Sequence, residues 1–70
     1  MNIRNIKLYL TSKIGSPIIV LYFGSRNKKE RYEGILWKTY NNVFVVMLPS
    51  GEIKSLSYID ILTKTIQIYI

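Results

Sequence analysis

The chain has 70 residues, 49% of them hydrophobic, with ten Lys or Arg against four Asp or Glu and a formal net charge of +6. So short a chain buries only about 60% of its unfolded surface, which leaves a marginal core and no room for a catalytic domain beside a regulatory one. Cysteine and histidine are both absent, which excludes disulfides, thiolate metal sites and the side chain most often used as a base near neutral pH.

Residues 3–14 place Ile3, Ile6, Leu10 and Ile14 at helical spacing, with Asn2 as an N-cap and Gly15 as a stop. The same stretch alternates at Ile6, Leu8 and Leu10, which suits a strand, so periodicity alone leaves both readings open. From Gly15 onward the pattern is β. Residues 17–23 are rich in β-branched and aromatic side chains, and Gly24-Ser25-Arg26-Asn27 is a turn cluster. Residues 30–40 form a second strand, in which Gly34 marks a sharp bend or a close backbone approach. Asn41-Asn42 turn the chain into 43–48, a continuous apolar run of the kind buried on both faces. Pro49-Ser50-Gly51-Glu52 turn it again into 53–57. Residues 58–62 form a tight helical turn, and 64–70 a last strand.

Five short strands, a bend glycine in the second and a one-turn helix before the fifth predict a mainly β protein. The expected form is a five-stranded SH3-like or Sm-like small barrel with an N-terminal helix, since closure removes exposed strand edges. Val20, Leu36, Val43, Val45 and Ile66 are expected to face inward. Without linkers, repeats or low-complexity tracts, one domain is expected over 1–70, with the helix at about 3–14 and the barrel at about 17–70. The longest apolar run, residues 18–23, falls far short of the ~20 residues that span a bilayer. The first residues also lack the long apolar segment of a signal peptide, so a soluble, cytoplasmic protein without a membrane partner is expected.

The charge is unevenly placed. Residues 1–31 hold seven cations against Glu30 alone, whereas 32–70 hold three of each sign. A partner of negative potential would exploit such an asymmetry. Arg26, Lys28, Lys29 and Arg31 cluster in the first hairpin, where they suit phosphates or an acidic protein patch; a solvated, solubilising hairpin tip accounts for the same residues. Trp37 and Tyr40 follow on the second strand, and outward aromatics beside cations serve as platforms for bases or as anchors for a protein. Tyr32 and Trp37 have opposite strand parity, and the neighbours of each favour Trp37 outward. Asp60 suits a structural role, accepting backbone N–H groups in the turn before the last strand. The serines have no histidine to activate them, Glu30 and Glu33 diverge on a strand, and no phosphate loop, zinc spacing or calcium loop occurs. The expectation is a non-enzyme without metal or cofactor.

Gly34-Ile35-Leu36, Thr39-Tyr40, Val43-Phe44-Val45-Val46, and Ser57-Tyr58 followed by Asp60-Ile61-Leu62-Thr63 and Thr65 resemble the Veg family. Its members are small cytoplasmic proteins of Gram-positive bacteria known as stimulators of biofilm formation. The likeness covers roughly residues 3–70 and is densest from 34 to 66. Ile6-Lys7, Leu10, Ile14 and Gly15 match the family's N-terminal segment, which favours the helix there. The resemblance implies a regulatory protein that influences transcription of biofilm genes through contact with a transcriptional regulator. Three departures stand out: Asn41-Asn42 where the family tends to a proline-containing turn, Trp37 where it usually has a smaller residue, and an end at Ile70 without the polar tail of some members. A role that depends on that tail would be lost here. The competing expectation is direct RNA or DNA binding through the basic hairpin and its aromatics, although the histidine-containing signature of Hfq-type RNA chaperones is impossible here. Self-association through a sheet edge or the exposed aromatics is a third reading.

Overall fold

The computed structural model describes residues 2–24 and 29–70. Helix α1 (Ile3–Thr11) starts where the side chain of Asn2 accepts the N–H of Asn5 at 2.8 Å. Ile6 and Leu10, one turn apart, are its buried face. It stops earlier than the spacing of Ile14 predicts, and Ile14 lies exposed in the following turn. Side-chain hydroxyls bond to carbonyls of its last turn. Thr11 Oγ1 donates to the Lys7 carbonyl at 2.7 Å, and Ser12 Oγ to that of Tyr9 at 2.6 Å. Gly15, at φ 93°, then redirects the chain so that its N–H meets the Leu36 carbonyl at 2.7 Å.

Five strands follow: β1 (Pro17–Phe23), β2 (Lys29–Thr39), β3 (Val43–Met47), β4 (Ile53–Ser57) and, after helix α2 (Tyr58–Leu62), β5 (Ile66–Tyr69). All pairs are antiparallel, in the order β4-β3-β2-β1-β5. The expected mainly β class and the expected elements are present. The sheet is not closed, however: β4 and β5 are its two edges, and α2 packs against both.

Gly34 is the close approach that its position in β2 suggested. A Cβ there would run into the carbonyl oxygen of Met47 and lie 3.0 Å from Val46 Cγ1. Two residues on, the β2–β3 register slips between Leu36 and Lys38, which makes Trp37 the extra residue of a bulge. Leu36 stays opposite Val46, and past the slip Thr39 stands opposite Phe44. It is therefore Phe44 and Val46 that join Val20, Leu36 and Ile66 in the core, not the expected Val43 and Val45. Val45 is buried outside that cluster, opposite Lys38, and Val43 is only half-buried.

Tyr58 locks α2 into place. Fully buried, its ring stacks on Phe44 with centroids 5.8 Å apart, and its hydroxyl donates to the Tyr40 carbonyl at 2.7 Å. The cap of α2 is Ser57, whose Oγ accepts the Ile59 N–H at 3.2 Å. The capping expected of Asp60 thus falls to a serine. Asp60 occupies the first turn, where a negative charge suits the positive end of the helix.

Candidate functional site

The inner face of the sheet is covered by α1 and α2; the other face has no layer upon it among the described residues. Exposed residues of that outer face and of the sheet's rim include Ile35, Trp37, Tyr40, Ile53 and Tyr69. Around them the described cations fall into two separate groups.

The first group lies at the base of the β1–β2 hairpin. Lys29 pairs across the ladder with Phe23 and holds its ammonium 5.9 Å from that ring. Arg31 reaches Glu33 at 2.9 Å, with both side chains more than half exposed, so the pair adds little to stability. Arg26 and Lys28, the other two members of the anticipated cluster, lie outside the described residues. On the inner side of the same strand, the Tyr32 hydroxyl donates to the Glu30 carboxylate, and that bond raises the Tyr32 pKa above its ordinary value. Lys54 caps this Tyr32 ring at 5.1 Å and pairs with Glu52 at 3.0 Å; the bond to Glu52 pushes its own pKa up.

The second group lies at the opposite end of β2. Trp37 is 41% exposed, on the outward side that strand parity favoured, and Tyr40, 50% exposed, lies at the surface too. Lys38 holds its ammonium 4.9 Å from the Trp37 ring centroid, well within cation–π range. The bulge makes this contact. On a regular strand adjacent residues point to opposite faces, whereas the extra residue lets Trp37 and Lys38 meet. Lys7 of α1 adds a further cation, bonded at 3.1 Å to Oδ1 of Asn41 in the neighbouring turn. Trp37 stands six residues along β2 from Arg31, roughly 20 Å at an ordinary strand rise. Sequence reasoning grouped the hairpin cations with Trp37 and Tyr40; the strand keeps them apart.

A third feature went unread in the sequence. Between α1, α2 and the free edge of β5 runs a groove of about 450 Å³, lined by Ile6, Tyr9, Ile61, Ile66 and Ile68 together with Lys64, Gln67 and Tyr69. The groove exists because α1 packs on α2 and β2 instead of lying along β5. Its members come from three elements, and Tyr9, set one residue from Leu8 and Leu10, was the only local hint: an aromatic beside the apolar stripe of the helix.

Fold and surface together define a class: a small, basic, antiparallel-sheet protein with helices on one face and lysine-capped aromatics on its exposed parts. The family model described as biofilm formation stimulator VEG matches residues 1–69, and the chain belongs to that family. The resemblance carried by residues 34–66 is thereby borne out. No curated protein matches the chain. No helix among the described residues is long and apolar enough to cross a membrane.

Proposed function

We propose that this protein is a non-catalytic regulatory binding module acting in biofilm formation, which influences transcription by contacting a transcriptional regulator in the cytoplasm. The observation that carries the reading is the rim formed by Trp37, Lys38 and Tyr40, a tryptophan and a tyrosine exposed beside a cation in a chain of the biofilm-stimulator family. Tryptophan and tyrosine are over-represented among residues that dominate protein–protein binding energy, because large rigid rings bury much area at little entropic cost. In this reading the sheet is a small SH3-like barrel left open beside β5, with α2 packed against both edge strands. Lys29 and Arg31 add positive potential that steers an acidic partner toward the rim.

Direct nucleic-acid binding is the second reading, favoured by the stacked Lys38–Trp37 pair together with the net charge of +6. One experiment separates the two. A photoreactive benzoylphenylalanine placed at Trp37 and irradiated in living cells should yield an adduct to a transcriptional regulator that survives nuclease. An adduct that disappears with nuclease favours nucleic acid, and a protein adduct to something other than a regulator refutes the proposal.

A further inference from the structure

Strand β5 ends the sheet, and its backbone is half used. Phe23 donates to the Thr65 carbonyl at 2.7 Å, and the same register sets Leu21 opposite Gln67 and Tyr22 opposite Ile66. In an antiparallel ladder, hydrogen-bonded and non-hydrogen-bonded pairs alternate. Thr65, Gln67 and Tyr69 therefore turn their backbone groups to β1, while the N–H and C=O of Ile66 and Ile68 point to the free edge. Among the described residues that edge has no ladder partner. The side chains of Ile66 and Ile68 point the other way of the pleat, into the apolar groove below α1. An unpaired edge beside an apolar groove is the arrangement that accepts an added strand: backbone bonds give affinity, and every second side chain falls into the groove.

We infer that this edge docks an extended, acidic segment of a partner protein, with apolar residues alternating with carboxylates. Charge selects the occupant. Lys64 lines the groove, Lys13 holds its ammonium 5.9 Å from the ring of Tyr9 on the groove wall, and no carboxylate is among the lining residues. A second copy of this chain would bring another +6 to the same place, along with Lys54 on the inner side of its own edge strand β4. Like charge makes that pairing unfavourable. Lys64 adopts φ 61°, a left-handed conformation that glycine occupies without strain. The position thus carries a cation where the backbone would accept glycine more readily. The inference rests on the protein-partner reading above but uses a different surface from the Trp37 rim.

The test uses purified full-length protein and a short capped peptide alternating valine and glutamate, followed through the backbone amide signals. Binding should shift and protect the amides of Ile66 and Ile68 while leaving the Trp37 indole signal unmoved. A lysine-for-glutamate version should bind about tenfold more weakly or worse, and methylating alternate peptide amides should abolish binding. Lys64→Gly should keep or raise the melting temperature while weakening the peptide several-fold, a pair of results that mere loss of folding cannot give. Equal binding of the lysine peptide, shifts confined to the outer face, or concentration-dependent shifts of Ile66 and Ile68 without peptide would each overturn the inference. A cross-link at Trp37 to a regulator alongside a failed peptide titration would sink this surface alone; the reverse would sink the rim.

Discussion

The two faces of this sheet are built from the same kinds of residue but treated differently. On the inner face Val20, Leu36, Phe44, Val46 and Ile66 meet α1 and α2 and lose their contact with water. On the outer face and rim Ile35, Trp37, Ile53 and Tyr69 keep two-fifths or more of theirs. Apolar character alone does not tell the faces apart; the helices do. A chain of this size has enough helix to cover one face, and the aromatics left on the other remain available to a partner.

If the inner face holds the fold, substitutions there should dominate stability. Phe44→Ala removes a fully buried ring and its stacking contact with Tyr58, and should cost about 3–5 kcal/mol, close to the whole stability of a small domain. Urea denaturation should find that variant largely unfolded in buffer. Gly34→Ala sets a methyl group against the Met47 carbonyl, a backbone atom that cannot swing aside, and should cost about 2–3 kcal/mol by the same measurement. A neutral Gly34→Ala would mean that β2 and β3 separate more easily than the register implies.

Tyr58 sharpens the comparison, because its effect carries a pH signature. Tyr58→Phe leaves the Tyr40 carbonyl without its donor and should cost about 1 kcal/mol at neutral pH. Burial raises the Tyr58 pKa in the folded protein, so the unfolded chain ionises first, from about pH 10. The contribution of the buried phenol is thus complete below that value and is lost as pH climbs through the folded pKa. Wild type should destabilise more steeply than Tyr58→Phe over that alkaline window; parallel curves would show that the phenol is reached by water.

At the far end of the scale lie the rim residues. Trp37→Ala and Tyr40→Ala should each change stability by about 0.5 kcal/mol or less, as surface substitutions commonly do. A loss as large as that of Tyr58→Phe at either position would erase the distinction between the faces.

Much of the architecture was legible because local signals agreed with one another. Residues 53–57 and 58–62 fall where β4 and α2 lie, and Gly34 announced a crowded backbone. What failed was whatever depended on a neighbour. Ile14 continues the helical spacing, but the helix ends at Thr11, where the hydroxyls of Thr11 and Ser12 bond to carbonyls of the last turn. The run Val43-Phe44-Val45-Val46 is apolar throughout, so it holds no parity signal; its pairing with β2, which sets Val46 opposite Leu36 just ahead of the bulge at Trp37, decides which members turn inward. That bulge also created the Lys38–Trp37 contact, which strand alternation forbids. The groove beside β5 was invisible for a simpler reason: Tyr9, Ile61 and Ile68 share no stretch of sequence, and only packing of α1 away from β5 brings them together.

The uncovered rim is the part of the account on which function rests, and biofilm mass measures it most directly. A strain whose only copy carries Trp37→Ala with Tyr40→Ala, expressed to wild-type level, should form no more biofilm than a strain lacking the gene. Wild-type biofilm from that strain would contradict the account, because the protein would then be working without the surface assigned to its partner.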